Sequence, residues 1–266
     1  AGIFGVYGNK KFDYAYEGTP QKNLENRSIT VNRGKCLGGS SSINGMVYIR
    51  GNKRDYDNWS ALGCKGWSYD EVLPVFKKLE NNNVGGDSKY HGFDGELSVV
   101  SPQDANDAGK RFVSAGSVIG LSQNPDFNAS SQIGLGIYNV TQSNGTRVSS
   151  FNAFLEPVLN RANLTILTKT TVSTLDIQGD KVSTINISVD GFDRKISFNK
   201  EVIICAGALD SPRLLLASGI GDKKELQDLG STCKNNLPGV GKNLQDHLDC
   251  MVTIRSEKTE SIGVSW

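Results

Sequence analysis

The amino-acid sequence predicts an α/β protein, on three observations. Segments with apolar residues at helical spacing alternate along the chain with segments typical of strands. Residues 202–205 form a continuous apolar run, the mark of a buried parallel strand, and small residues and a helix follow it. Residues 171–178 and 181–189 read as consecutive strands, and Gln178-Gly179-Asp180 between them predicts the turn of an antiparallel hairpin or meander.

The first half of the chain predicts one well-marked helix after irregular structure. Residues 1–32 are irregular and then extended. Ser68, with Glu71 three residues later, is the capping-box pattern that opens a helix. Apolar residues follow at helical spacing, at Val72, Leu73, Phe76 and Leu79. Trp59, Trp67 and Phe76 are predicted to lie in the core.

The remaining elements are predicted from the same periodicities. Helices are expected at 107–119, at 149–159 and from Ser211-Pro212, where proline suits a first helical turn. Further strands are expected at 96–100, 134–142, 164–169, 195–199 and 251–255.

Composition narrows the class of protein. The 266 residues are 37% apolar and 21% charged, which is typical of a soluble globular protein, and the net charge is +1. A net charge this close to zero indicates no electrostatic attraction to nucleic acid or to an anionic membrane. The apolar runs are too short to span a bilayer, so no transmembrane segment is predicted. No signal peptide is visible at Ala1, and the compartment stays open.

Cysteine and histidine indicate no metal centre. Five scattered cysteines without a C-x-x-C pair argue against a disulfide framework or a zinc site, and are predicted to be buried thiols. The two histidines leave little scope for acid–base chemistry. His91 lies in a polar loop and is predicted to be at the surface or at the edge of a bound group. His247 is predicted to be structural, with a place at the border of a pocket as the alternative.

Residues 33–51, RGKCLGGSSSINGMVYIRG, are the most distinctive stretch, and we call them the glycine–serine loop. Gly38 and Gly39 permit backbone angles closed to other residues and the close approach of a bound group. Ser40 and Asn44 can satisfy polar atoms on that group, and exposed N–H groups in such a turn favour phosphate or another anion. The alternative is a flexible linker, but the apolar exit at 46–49 has no linker character.

Three segments of the chain resemble signatures of one flavoprotein family. They are 34–57, 207–221 (GALDSPRLLLASGIG) and 238–247 (PGVGKNLQDH). In this order and spacing they identify the chain as a member of the glucose–methanol–choline (GMC) oxidoreductases, closest to the branch of choline and aliphatic alcohol dehydrogenases. The resemblance runs along nearly the whole chain, but it corresponds only to the middle of the family's sequence.

The resemblance implies a domain organisation. It implies a Rossmann-like, GMC-type FAD-binding domain with an inserted α+β portion of a substrate domain, both incomplete. Residues 1–100 would belong to the FAD-binding domain and 101–160 to the substrate domain. Residues 161–247 would return to the FAD-binding domain, and 248–266 would begin the next substrate-domain strand.

The resemblance also implies site residues for FAD. The loop positions similar to the family's FAD contacts are Gly39, Ser40, Asn44, Gly45, Met46 and Val47. Val172 matches a valine whose backbone meets the adenine. Ala206 lies in the second flavin-binding crossover, with ordinary strand–helix packing as the alternative. Ile43 stands where some relatives carry a histidine that attaches the flavin, so non-covalent FAD is expected. Asp249 is implied as a substrate contact.

Two features of the family have no counterpart here. No strand followed by G-x-G-x-x-G opens the chain, and no segment corresponds to the part that carries the catalytic histidine, so no catalytic residue is assigned. The resemblance implies oxidation of a primary alcohol, choline-like or aliphatic, to an aldehyde by hydride transfer to FAD. The chain alone is expected to be inactive. The alternatives are a flavin-dependent lyase of the same fold, or a non-catalytic remnant or half of a split assembly that needs a complementing chain. The electron acceptor is not predicted.

Overall fold

The computed structural model describes residues 5–102, 105–247, 249–250 and 252. It divides into two compact units. The first takes in the described residues through Leu164, and the second spans Thr165–Thr253.

The first unit combines three α-helices with short paired strands, counted over its described residues. The helices are α1 Lys53–Ala61, α2 Tyr69–Leu79 and α3 Asp107–Ala115. The strands are β1 Tyr16–Glu17, β2 Thr30–Val31, β3 Glu80–Asn82, β4 Leu97–Val99, β5 Gln142–Ser143 and β6 Thr146–Arg147. They pair in three two-stranded sheets, β1–β2 and β5–β6 antiparallel and β3–β4 parallel. The predicted strand at 96–100 is thereby confirmed as β4.

Side-chain caps fix the starts of α1 and α2. The backbone N–H of Ser68 donates to the Glu71 carboxylate at 3.0 Å, which confirms the predicted capping box. Asn52 repeats the pattern at α1, because its N–H donates to Asp55 at 2.9 Å and its side-chain oxygen accepts from Arg54 N–H at 3.0 Å. Each helix therefore begins with a side chain that satisfies at least one backbone donor of its first turn.

The prediction that Trp59 and Trp67 lie in the core is wrong. Their side chains are 45% and 52% exposed, although their rings meet edge to face with centroids 5.8 Å apart. Trp59 lies in α1 and Trp67 just before α2, and their mutual contact covers only part of each ring. The outer faces stay open to solvent.

The rest of the first unit is less regular than predicted. The expected helix at 107–119 forms as α3 with a 3₁₀ turn, Gly116–Ile119, and 149–159 forms a π turn, Phe151–Leu155, with a 3₁₀ turn, Glu156–Val158. The predicted strand at 134–142 is wrong as a continuous element. It makes isolated bridges through Leu135 and Val140, because its neighbours on either side are loops rather than strands.

The second unit contains the predicted antiparallel meander. Its strands are β7 Thr170–Gln178, β8 Lys181–Val189 and β9 Phe192–Ile196. The helix α4, Gly207–Ala217, packs on β7, and the buried side chains Leu175, Ile187 and Leu214 form the core between them. The chain continues through β10 Ile220–Gly221, α5 Lys223–Asp228 and β11 Asn235–Asn236. The predicted strand at 164–169 is not formed.

Two further predictions in this unit are wrong. Residues 202–205 are not a strand, and Ile203 is 75% exposed, because no neighbouring strand among the described residues supplies the hydrogen bonds of a ladder. Helix α4 begins at Gly207 rather than at Ser211, and Pro212 lies inside it. The Ser211 hydroxyl accepts from Ala206 N–H at 3.1 Å and so draws the preceding small residues into the helix start. Of the strand predicted at 251–255, all but Val252 lies outside the described residues, and Val252 is in no strand.

All five cysteines are free, and their predicted burial is wrong. Cys36, Cys64, Cys205 and Cys250 are exposed, and Cys233 is half-buried, because they lie in loops and at element ends.

No helix in the part of the chain that the structure describes has the length and apolar character to cross a membrane.

Candidate cofactor site

The glycine–serine loop folds back on itself through glycines in the left-handed region. Gly38 and Gly39 have φ angles of +85° and +54°, and a 3₁₀ turn, Gly39–Ser42, follows Gly38. The loop also packs against its own entry. A Cβ atom added to Gly34 would lie 2.2 Å from the carbonyl oxygen of Gly39. The turn is therefore a compact structure and not a flexible linker.

One apolar side chain anchors the loop, and the residues after it face outward. Ile43 is 5% exposed, whereas Ser40, Asn44 and Gly45 are exposed and Val47 is 47% exposed. The buried side chain of Ile43 anchors the turn. The polar residues and the apolar Val47 are left on the surface, where a ligand can meet them.

The exposed segment presents unused hydrogen-bond donors. Across the described ranges, the backbone N–H groups of Gly45 and Val47 have no hydrogen-bond partner. A Cβ atom added to Gly45 would meet nothing within 4 Å, so the space beside its backbone is open. Free N–H groups next to open space suit a polar or anionic ligand that approaches the main chain closely.

The exit of the loop is held by main-chain bonds to the segment around Val140. Tyr48 N–H donates to the Asn139 carbonyl at 2.8 Å, and Thr141 N–H donates to the Met46 carbonyl at 2.9 Å. Met46 itself has a φ angle of +62°, which is uncommon for a residue with a side chain. The exit is thus fixed on one side while Val47 faces outward.

A second support comes from a residue that the sequence does not single out. The Arg147 guanidinium donates from Nη1 to Asn44 Oδ1 at 2.7 Å and to the Ser41 carbonyl at 3.0 Å, and from Nη2 to the Asn44 carbonyl at 2.8 Å. The neighbouring Ser150 N–H donates to Ser41 Oγ at 2.9 Å. Asn144-Gly145 is a hairpin signal that could have predicted β5–β6, but nothing in the sequence indicates a contact more than 100 residues away.

Buried charges lie beneath the loop exit. Arg50 Nη2 lies 2.8 Å from Glu80 Oε2, and His91 Nδ1 lies 3.0 Å from Glu80 Oε1. His91 Nε2 lies 2.7 Å from Asp126 Oδ2. Arg50, Glu80 and His91 are at most 6% exposed. We call Arg50, Glu80, His91 and Asp126 the buried charge cluster. The prediction that His91 lies at the surface is wrong, because the two carboxylates take both ring nitrogens inward.

The neighbouring carboxylates favour the charged form of His91. The hydrogen bond to Glu80 raises the pKa of His91 most, burial opposes this effect, and the bond to Asp126 raises the pKa further. A protonated imidazole donates from both nitrogens and so satisfies both carboxylates. Two cations then balance two anions in the cluster, which suits a structural role.

Asp13 organises the entry to the loop. Its buried carboxylate accepts from the N–H groups of Gly8, Ala15 and Arg33, each at 2.9 Å, and from the Asn32 amide. Burial by itself raises the pKa of Asp13, but these four hydrogen bonds lower it well below its ordinary range. The carboxylate is therefore ionised and pins the strand pair β1–β2 to the loop.

The other predicted site residues belong to the second unit. Val172 is half-buried in β7 and pairs with Ile187 of β8. Ala206 is exposed just before α4, and Asp249 and His247 are also exposed. Their membership of one site with the glycine–serine loop stays a prediction. Among the described residues, no group of three or more His, Cys, Asp or Glu side chains could hold a metal ion.

Comparison with known proteins decides the family. A profile of the GMC oxidoreductases matches residues 12–249, which is most of the chain. The chain belongs to the GMC oxidoreductase family. The α/β fold class and the GMC-type fold predicted from sequence are thereby confirmed, and the three signature segments lie within the matched residues.

Curated relatives of this GMC chain include two kinds of dehydrogenase. It is 41% identical over 267 residues to the alcohol dehydrogenase [acceptor] of Pseudomonas putida, which covers 100% of the chain and 48% of that protein. It is 40% identical over 257 residues to the oxygen-dependent choline dehydrogenase of Rhizobium johnstonii, covering 97% of the chain and 46% of the relative. The chain spans about half the length of these relatives.

Solved structures agree with the GMC fold. Pyridoxine 4-oxidase from Mesorbium loti superposes with a TM-score of 0.86 at 34% identity, over 92% of this chain and 48% of that one. An FAD-dependent oxidoreductase from Chaetomium thermophilum superposes with a TM-score of 0.82 at 30% identity, over 90% and 44%.

Proposed function

We propose that this GMC oxidoreductase binds FAD non-covalently and oxidises the CH–OH group of a primary alcohol to an aldehyde. The observation that carries the proposal is the open, donor-rich edge of the glycine–serine loop at Gly45 and Val47. The names of the relatives support the reaction class, since they include an alcohol dehydrogenase and choline dehydrogenases.

The loop residues fit a dinucleotide cofactor. The free N–H groups of Gly45 and Val47 and the exposed Ser40 hydroxyl would donate to the phosphates or to polar edges of the flavin. Exposed Val47 offers an apolar wall of the kind that a flavin ring needs. The full set proposed to hold FAD is Gly39, Ser40, Asn44, Gly45, Met46 and Val47 from the loop, with Val172 and Ala206 from the second unit.

The attachment is proposed to be non-covalent because the relevant position carries a hydrocarbon. Ile43 is buried and has no nucleophilic atom that could form a bond to the ring. The chemistry that bound FAD supplies is the acceptance of a hydride from the alcohol carbon. The chain's own contribution is to position that acceptor and to keep water from its face.

The substrate is proposed to be choline-like or aliphatic. Asp249 is an exposed carboxylate and would attract a cationic head group such as a quaternary ammonium. The base that removes the alcohol proton is assigned to no residue of this chain, so the 266-residue chain alone is expected to turn over no alcohol. In the domain assignment that we propose, 1–100 and 161–247 belong to the FAD-binding domain, and 101–160 and 248–266 to the substrate domain.

The test uses the protein expressed from its complete reading frame. Visible flavin bands that survive desalting, and bleach when choline or a primary alcohol is added without oxygen, would support the proposal. Bound flavin that stays oxidised while substrate is cleaved would favour the lyase alternative. A protein that takes up no FAD would contradict the proposal. A protein active only after a second polypeptide is added would favour the split assembly.

Gly45→Ala sharpens this test. The added methyl group meets no protein atom within 4 Å and the backbone angle at Gly45 is ordinary, so the variant should fold as the parent does. The methyl would stand in the space proposed for FAD, and the affinity for FAD should fall by about tenfold or more. Gly5→Ala is the matched control, since that position is also open and is remote in sequence from the loop.

A further inference from the structure

Arg147 stands out because its three hydrogen bonds all reach one short segment. Its acceptors are the Ser41 carbonyl and both oxygens of Asn44, at 2.7–3.0 Å. Arg147 lies in β6, more than 100 residues further along the chain than these acceptors. A planar guanidinium fork donates in fixed directions, so three bonds to two residues define the course of the main chain between them.

The same contacts fix which way the Asn44 amide faces. Asn44 Oδ1 accepts from Arg147 Nη1 and also from Met46 N–H at 3.0 Å. Because a guanidinium can only donate, the oxygen and not the nitrogen of the amide must face Arg147. Asn44 Nδ2 therefore points away from the arginine, and it has no partner among the described residues. Asn44 lies immediately before the open edge at Gly45.

Ser150 provides a second tie from the same part of the chain. Its N–H donates to Ser41 Oγ at 2.9 Å, and its hydroxyl donates to the Gly38 carbonyl at 3.1 Å. Gly38 lies immediately before the 3₁₀ turn Gly39–Ser42, Ser41 lies within it, and Asn44 follows it. The segment 147–150 thus holds the turn from both ends and leaves the Gly45 edge uncovered.

We propose that Arg147 is a positioning residue for the cofactor: it sets the orientation of the Asn44 amide and holds the loop in the form that receives FAD. The inference rests on the proposed function. It assigns to Arg147 no contact with FAD. Its effect passes through Asn44 Nδ2, which would donate to the cofactor.

Two variants separate the roles of Arg147 and Asn44. Arg147→Met removes the guanidinium but keeps the length of the side chain, so the loop should lose its fixed course and Asn44 its orientation. Asn44→Asp keeps the acceptor for Arg147 and strengthens that pair by charge, but removes the Nδ2 donor. Arg147→Lys keeps the charge without the fork and should be intermediate. Arg161→Met is the control for loss of an exposed arginine.

The measurements are FAD affinity and amide hydrogen exchange, on protein from the complete reading frame. Arg147→Met should weaken FAD binding by about tenfold or more and speed exchange at residues 38–46, while exchange in β7 and β8 stays as in the parent. Asn44→Asp should weaken FAD binding and leave exchange in the loop slow. The bound flavin's visible spectrum should shift in both variants and not in Arg161→Met.

The outcomes distinguish this inference from the proposed function. If the parent protein binds FAD and Arg147→Met binds it equally well, the inference is wrong and the proposed function stands. If Asn44→Asp binds FAD as the parent does, the route through Nδ2 is wrong. If the parent protein binds no FAD, the proposed function fails and the positioning role fails with it, whatever the exchange rates show about the loop.

Discussion

The Nε2 atom of His91 lies 2.7 Å from Oδ2 of Asp126, and this contact ties two loops across a buried site. The other ring nitrogen contacts Glu80 at 3.0 Å, and Glu80 in turn binds Arg50 at the exit of the glycine–serine loop. The candidate cofactor loop is therefore supported from beneath by charges that are themselves mutually neutralised. Removal of Glu80 would leave Arg50 buried without its ionic partner.

The raised pKa of His91 predicts a loss of stability toward alkaline pH. A raised folded-state pKa contributes stability that is fully present below the unfolded-state pKa and is lost as the pH rises through the folded value. We expect the free energy of unfolding of the first unit to fall from mildly acidic to alkaline pH. In His91→Gln this dependence should vanish, whereas His247→Gln, at the exposed histidine, should retain it. Denaturant titrations at several pH values measure the free energy of unfolding. An equal dependence of this free energy on pH in the two variants would contradict the prediction.

Glu80→Gln should be strongly destabilising. The carboxylate is fully buried and holds Arg50, His91 and the Gly92 N–H, so its neutralisation leaves two cations underbalanced. Breaking a buried ion pair in this way costs about 3–5 kcal/mol of unfolding free energy. The exposed Glu96→Gln is the control and should change stability by less than ~0.5 kcal/mol. Similar denaturation midpoints for the two variants would show that the cluster contributes little.

Asp13→Asn should destabilise the entry to the glycine–serine loop. It should also reduce the dependence of the free energy of unfolding on pH in the acidic range. A depressed folded-state pKa contributes stability that is present above the unfolded-state pKa and is lost as the pH falls through the folded value. At neutral pH we expect a loss of about 1–3 kcal/mol, because the charge that receives four donors is gone. The exposed Asp94→Asn serves as control. The measurement is the free energy of unfolding at a series of acidic pH values. The prediction is wrong if this free energy falls as steeply with pH in Asp13→Asn as in the parent.

Gly34→Ala should disturb the loop directly. The added methyl would lie 2.2 Å from the Gly39 carbonyl oxygen and 2.8 Å from Ser40 N, so the main chain must move. Overpacking of this kind costs about 1–3 kcal/mol. Thermal unfolding should therefore occur at a lower temperature than in Gly45→Ala, whose methyl meets open space. Equal melting temperatures for the two alanine variants would show that the loop accommodates the methyl group at Gly34 without a loss of stability.

The sequence predicted elements well where the determining interactions are local. The capping box at Ser68 and the meander of β7 and β8 depend on residues close together in the chain, and both formed as expected. The predictions were wrong where an element depends on residues that are distant in the sequence. Residues 202–205 have the composition of a buried strand, but a strand needs a neighbour to pair with, and the described residues offer none there.

The family, the fold class and the distinctive glycine–serine loop follow from the sequence alone, because the signature segments are contiguous and glycines and capping residues act over a few positions. The side chains that support this loop come from distant parts of the chain and are seen only in the three-dimensional structure. His91 is buried because Glu80 and Asp126, 11 and 35 residues away in sequence, contact its two ring nitrogens. Arg147 became a support of Asn44 across 103 residues. Burial and hydrogen bonding depend on three-dimensional neighbours, and no local pattern encodes those distances.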